Sequence, residues 1–199
     1  MSDPPTPPSA PAIRFGRTEI LVLEGNLLAQ EVDAIVLPTN CRGALGAVGV
    51  HGVTGLRTLA GSEIEREAMA LAPLELGTAV TTGSGQLASR GVQHVIHAVI
   101  RRDLGSPARP ADIRRAVAAS LVAADRARAT SVAIGLIGDD RSASGGEADP
   151  IHALIAEETV SVLRRSSLRL AEVRIVCRFA DQAVAMNTLL QALRNRAWE

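Results

Sequence analysis

The chain has no Tyr and no Lys, and its aromatic content is only 2%. Because 47% of its 199 residues are nevertheless hydrophobic, the core must be built from Val, Leu, Ile and Ala. Such cores suit domains in which helices pack on a sheet. The length fits one domain that can bury a substantial core.

The chain also has no charge excess of either sign. Acidic and basic residues both number 21, so no global field would hold the protein on nucleic acid or on an anionic membrane. No apolar run approaches the roughly 20 residues that cross a bilayer. We therefore expect neither a nucleic acid nor a membrane as a partner.

Cysteine is scarce as well. Cys41 and Cys177 are too few for a disulfide framework and lack metal-ligand spacing. The first residues contain no basic segment followed by an apolar one, the pattern of a secretion signal. The sequence thus predicts a cytoplasmic protein with no metal and no cofactor.

The chain divides into a tail and a domain. Residues 1–12 contain five of the ten prolines and predict a disordered tail, because proline blocks both helices and sheet ladders. Residues 13–199 form the predicted domain. In it, apolar and β-branched runs predict strands at 13–15, 18–24, 34–37, 78–82, 94–100, 131–137 and 173–179. Patterns of helical period predict helices in residues 53–71 and at 112–128, 151–165 and 183–194.

Strands that alternate with helices predict an α/β fold whose sheet is parallel or mixed and covered on both faces. In such sheets, ligands bind beyond the carboxyl ends of the strands. Two glycine-rich loops fall there, one after VDAIVLP and one after VAIGLI. The first, GALGAVGVHGVTG, leads into a helical pattern, so free backbone N–H groups and a helix N-terminus suit a phosphate or pyrophosphate.

The order of these motifs resembles the macro domain, a family that binds ADP-ribose and related nucleotides and in some members hydrolyses ADP-ribose linkages. The similar segments are Gly25-Asn26-Leu27, then VDAIVLPTN ending at Asn40, and then Gly49-Val50-His51-Gly52. ALAPLELGTAVTTGSGQL, HVIHAVI, GLIG and VRIVCRF follow in the family's order, so the resemblance runs from about Arg17 to the C-terminus. It implies a three-layer α/β/α fold with a mixed central sheet.

The resemblance also implies a binding site for ADP-ribose or an ADP-ribosylated protein. The adenine would lie near Asn26, Leu27 and Phe179, and the distal ribose at Asn40. The diphosphate would lie between the two glycine-rich loops, at Gly46, Gly49 and Val50 of the first and Gly138, Ser142 and Gly145 of the second.

Several positions depart from the family pattern. Asn26 replaces an Asp and so accepts a hydrogen bond from adenine without charge assistance. His51 stands where hydrolysing relatives have an Asp. Ala47 and Val48 replace glycines, adding side chains where the backbone should approach the ligand. Asp139 and Asp140 stand where the family has small residues, and their carboxylates are expected to repel a diphosphate unless Arg141 or a cation compensates.

These departures leave three hypotheses open. The first is a module that binds ADP-ribose, a related nucleotide or an ADP-ribosyl group. The second is an ADP-ribosyl hydrolase or O-acetyl-ADP-ribose deacetylase in which Asn40 positions water and His51 replaces the usual acid. The third is a degenerate macro fold that acts as a scaffold or interaction module. Within the second loop, a solvated acidic segment is favoured over a divalent cation site formed by Asp139, Asp140, Glu147 and Asp149.

Overall fold

The computed structural model of the chain describes residues 12–45, 57–139 and 150–196. All of the tail predicted at 1–12 except Ala12 lies outside these ranges, as do large parts of both glycine-rich loops.

The described residues contain seven strands, which form one mixed sheet in the order β1-β2-β7-β6-β3-β5-β4. The inner five are parallel to one another, and β1 and β4 run antiparallel at the two edges. The strands are β1 (Ile13–Phe15), β2 (Thr18–Glu24), β3 (Ala34–Asn40), β4 (Ala79–Gly83), β5 (His94–Arg101), β6 (Ser131–Gly135) and β7 (Glu172–Cys177).

Helices cover both faces of the sheet. One face packs on α2 (Pro110–Arg126), α3 (Pro150–Arg165) and α4 (Ala180–Asn195) through a large aliphatic cluster. The other face packs on α1 (Glu63–Ala70) and on two 3-10 helices, Leu27–Ala29 and Gly85–Arg90, through a smaller cluster. The predicted three-layer α/β/α fold with a mixed central sheet is confirmed. No helix among the described residues is long and apolar enough to span a membrane.

Side chains at the start of the central strands fix their register. Asp33 precedes β3, and its carboxylate accepts hydrogen bonds from the Thr130 backbone N–H and hydroxyl, both at 2.7 Å, and from Ser131 N at 3.1 Å. Burial acts to raise the pKa of Asp33, but these bonds outweigh it and lower the pKa below its ordinary value. The charged carboxylate thus aligns β3 with the start of β6.

The strand predicted at 34–37 is longer in the structure, because β3 continues through Pro38 to Asn40. Its pairing with β6 stops at Val36, so Pro38 lies where one side of β3 has no paired strand and the missing N–H is tolerated. Between β4 and β5, residues Gly85–Arg90 form a 3-10 helix that buries Leu87.

Candidate functional site

The carboxyl ends of four adjacent parallel strands lie at one edge of the sheet. In the order β2, β7, β6, β3, these ends are followed by or contain Asn26, Phe179, Gly138 and Asn40. Because neighbouring strands are about 4.8 Å apart, the row spans about 14 Å. The topology therefore brings four of the sequence-predicted ligand residues into one line.

Asn40, the last residue of β3, is 2% exposed. Its Oδ1 accepts hydrogen bonds from Arg42 N at 2.9 Å and Ala44 N at 3.1 Å, which folds the chain into a tight turn after the strand. No acceptor for its Nδ2 group is found among the described residues. The side chain thus holds the turn with its oxygen and keeps its two amide donors for another partner.

Asn26 and Leu27 follow β2. The Asn26 Oδ1 accepts a hydrogen bond from Leu28 N at 3.0 Å and so caps the 3-10 helix Leu27–Ala29. A carbonyl oxygen has two lone pairs, so the Asn26 carbonyl retains one further acceptor site. The Leu27 side chain is buried in the smaller core cluster, which leaves only its backbone to face a ligand.

Gly138 lies at the start of the second loop with φ +88°, in the left-handed region that favours glycine. A Cβ at this position would lie 2.4 Å from Ile113 Cδ1. The absence of a side chain therefore lets this loop pack closely on the first turn of α2.

Asp139 was expected to repel a diphosphate unless Arg141 or a cation compensated. Its side chain is only 6% exposed, and its Oδ2 accepts a hydrogen bond from Gln182 Nε2 at 3.0 Å and lies 3.5 Å from His152 Nε2. The compensation thus includes two groups that sequence reasoning missed. Asp139 also contributes, after burial, to raising the pKa of the Cys177 thiol to about 12, so that thiol stays protonated at neutral pH.

Gln182 has a second role next to Phe179. Its Oε1 accepts hydrogen bonds from Arg178 N at 3.1 Å and Phe179 N at 3.3 Å. The Phe179 ring is half-buried, and the Arg178 guanidinium lies 5.9 Å from its centroid, within cation–π range. No sequence signal would have linked Gln182 to Asp139, because the two lie 43 residues apart.

Six predicted site residues lie outside the described residues: Gly46, Gly49, Val50, His51, Ser142 and Gly145. The departures at Ala47, Val48 and Asp140 lie outside them too. Within the described ranges, no three His, Cys, Asp or Glu side chains are grouped to hold a metal ion.

A residue that the sequence analysis missed connects the two sides of the first loop. Glu65, on α1, is 7% exposed. Its Oε1 accepts a hydrogen bond from Leu45 N at 3.2 Å, and its Oε2 accepts from Arg57 Nε at 2.9 Å and Nη2 at 2.7 Å. Leu45 and Arg57 flank segment 46–56, so one buried carboxylate fixes the distance between the residues on either side of it.

We expect Glu65→Gln to destabilise the domain by about 1–2 kcal/mol. The amide keeps an acceptor for Leu45 N but loses the ion pair with Arg57. Because the Arg57 side chain is half exposed, water partly screens this ion pair and limits the loss. Urea unfolding measures the change. Glu63→Gln is the control, because Glu63 is exposed on the same helix and, among the residues that the structure describes, pairs with Arg66 alone, at 3.4 Å. Its effect should stay within about 0.5 kcal/mol. Equal losses in both variants would contradict the role given to Glu65.

Comparison with known proteins identifies the family. The family model of the Macro domain matches residues 36–143, which begin within β3 and end in the second loop. An uncharacterized protein of Aquifex aeolicus is 39% identical over 108 residues, or 54% of this chain and 62% of the relative. The chain thus spans less than two thirds of the length of that curated relative.

Solved structures agree with this result. The Oceanobacillus iheyensis macrodomain with ADP has a TM-score of 0.74 at 15% identity, over 93% of this chain and 96% of that chain. The Trypanosoma brucei macrodomain in complex with ADP-ribose has a TM-score of 0.66 at 22% identity, over 85% of this chain and 68% of that chain. At such identities the likeness shows the fold. Together with the family match over more than half of its length, it shows that the chain belongs to the macro domain family.

Proposed function

We propose that this protein binds ADP-ribose, or an ADP-ribosyl group on another molecule, along the carboxyl ends of β2, β7, β6 and β3. The observation that carries the proposal is the row formed by Asn26, Phe179, Gly138 and Asn40 on four consecutive parallel strands. A row of about 14 Å suits a ligand with several linked parts better than a single phosphate. Two members of the family were solved with ADP and with ADP-ribose.

Each position supplies a chemistry suited to one part of such a ligand. The half-buried Phe179 ring offers an apolar surface for a base, and Asn26 retains a hydrogen-bond acceptor beside it. At the other end of the row, the Asn40 Nδ2 group donates to ribose hydroxyls. Between them, buried Asp139 is hydrogen-bonded by Gln182, which lessens its repulsion of a diphosphate.

Asn40→Asp tests the proposal. The carboxylate keeps an acceptor for Arg42 N and Ala44 N, so the turn after β3 should be preserved, while the Nδ2 donors are lost. We expect affinity for ADP-ribose to fall at least about tenfold, with little change in affinity for AMP, which lacks the distal ribose. Isothermal titration calorimetry with both ligands measures the two effects.

The exposed Asn195, at the end of α4, provides the control variant Asn195→Ala, which should bind both ligands as the unmodified chain does. If the unmodified chain released no heat with millimolar ADP-ribose, the binding proposal would fail. If Asn40→Asp bound ADP-ribose unchanged, the role of Asn40 would be wrong although binding stood.

Hydrolysis stays a prediction, because His51 lies outside the described residues. Its test is the release of ADP-ribose from a modified protein, which should be lost in His51→Ala. If the unmodified chain releases none above buffer, the protein is a binding module only.

A further inference from the structure

A cavity of about 140 Å³ lies next to the proposed cleft, where β5 ends and α2 begins. In the sheet order, β5 follows β3 on the side away from β2. The cavity therefore lies one strand beyond Asn40, in the direction in which a ligand running from Asn26 to Asn40 would continue. Its lining residues are Leu76, Ile100, Arg102, Ser106, Pro107, Arg109 and Asp112.

Backbone contacts link the cavity wall to the cleft. Asn40 is the register partner of Arg101, and Cys41 N donates to Arg101 O at 3.0 Å. On the other side, a Cβ at Gly138 would lie 3.8 Å from Ala108 Cβ and 2.4 Å from Ile113 Cδ1. The segment that forms the cavity thus packs against both strand ends assigned to the distal half of the ligand.

The charges around the cavity favour an anion. The side chains of Arg102 and Arg109, two exposed residues, make no ion pair or hydrogen bond within the described part of the chain. The nearby carboxylates are already paired, Asp112 with Arg115 at 2.7 Å and Asp103 with Arg42 at 3.1 Å. Two guanidinium groups therefore remain for an external carboxylate or phosphate, for which their planar donor geometry is suited.

The size and the floor of the cavity distinguish between anions. Leu76, Ile100 and Pro107 supply apolar surface, and the volume is several times the roughly 30 Å³ occupied by one water molecule. The methylene groups of an acidic side chain would bury against this surface while its carboxylate reached the arginines. A free phosphate would use the charges but leave the apolar surface uncovered.

We propose that this cavity, which we call the β5 cavity, receives an acidic side chain of the polypeptide that carries the ADP-ribosyl group. The inference rests on the proposed function. It assigns the substrate class as proteins modified within acidic stretches. Arg102 and Arg109 are its specificity-determining residues.

The experiment compares two synthetic peptides that carry one ADP-ribosyl group, flanked by Glu in one and by Gln in the other. We expect the full chain to bind the Glu peptide about tenfold more tightly, and Arg102→Gln/Arg109→Gln to bind both peptides alike. Affinity for free ADP-ribose should not change in that variant. Arg126→Gln/Arg128→Gln removes the same charge at and just beyond the C-terminal end of α2, about 24 Å from its first residue, and should keep the preference.

The outcomes separate the two proposals. If free ADP-ribose does not bind, the proposed function fails. If it binds but the two peptides bind equally to the unmodified chain, only the β5 cavity assignment fails. A preference for Glu that is lost equally in both double variants would reflect net charge and would overturn the role of the cavity. Inorganic phosphate that abolished the preference at micromolar concentration would identify a phosphate site instead.

Discussion

Gly43→Ala is expected to destabilise the domain by about 3–5 kcal/mol, one of the two largest effects that we predict. Gly43 has φ +75°, and a Cβ there would lie 2.5 Å from the backbone C and O of Ala68 and 2.6 Å from Met69 N. These are backbone atoms in the last turn of α1, so they cannot turn away as a side chain would. For a domain of this size, each kcal/mol lost lowers the melting temperature by about 2–4 °C. The melting temperature of Gly43→Ala should therefore fall by roughly 10 °C.

The control for this variant is Gly91→Ala. Gly91 has φ +84°, but no atom lies within 4 Å of the added Cβ. This variant should therefore show only the conformational cost of a left-handed residue, about 1–2 kcal/mol. The difference between the two variants measures the steric clash alone. Similar losses in both would show that the turn after Asn40 moves away from α1 without cost.

The close approach at Gly43 shows what sequence patterns can and cannot predict. Hydrophobic periodicity predicted the strands and helices, because burial of one face imposes a period of 2 or 3.6 wherever the partner lies. That Gly43 must lack a side chain depends on where the end of α1 lies, which is a tertiary contact. The glycine itself is visible in the sequence, but the reason for it is not.

The candidate site divides in the same way. Asn26, Gly138, Asn40 and Phe179 were identified through the resemblance to macro domains, and the order of the parallel strands places them in one row. Glu65 and Gln182 could not be identified from the sequence. Their carboxylate and amide groups bind partners 20 and 43 residues away, and the surrounding residues carry no motif.

His152 shows a further limit of sequence patterns. It stands near the start of α3, yet it is 2% exposed and lies beside Asp139. A position in the first turn gives no information on whether that turn faces solvent. The packing of α3 against α2 and α4 decides it, and that packing is set by the aliphatic residues further along the helix.

The second large effect concerns acid stability and depends on His97, in the middle of β5. The side chain is fully buried. Burial lowers its pKa to about 4, although the charge of Glu65 acts in the opposite direction. Thr82 Oγ1 donates to Gly83 O at 3.0 Å and lies 2.8 Å from His97 Nε2, so Nε2 carries the proton and donates to Thr82. The buried Nδ1 then has no partner, and a proton added there would find no acceptor.

The direction of the pH effect follows from these values. In the unfolded chain the histidine has its ordinary pKa of 6.5, so between pH 6.5 and about 4 the unfolded state binds a proton that the folded state does not. Above pH 6.5 this histidine does not reduce the free energy of unfolding. As the pH falls from 6.5 towards 4, that free energy decreases by up to about 3 kcal/mol. Below pH 4 both the folded and the unfolded chain bind the proton, so the loss of unfolding free energy does not increase further.

His97→Gln should remove this pH dependence, because glutamine does not titrate and its amide can still donate to Thr82. We expect the loss of unfolding free energy between pH 6.5 and 4, measured by urea unfolding, to be smaller in His97→Gln by about 3 kcal/mol. His94→Gln, three residues earlier on β5 and half exposed, is the control and should keep the steep profile. If His97→Gln lost stability in acid as steeply as the unmodified chain, the acid sensitivity would arise from carboxylates, and the uncharged buried imidazole would not be its cause.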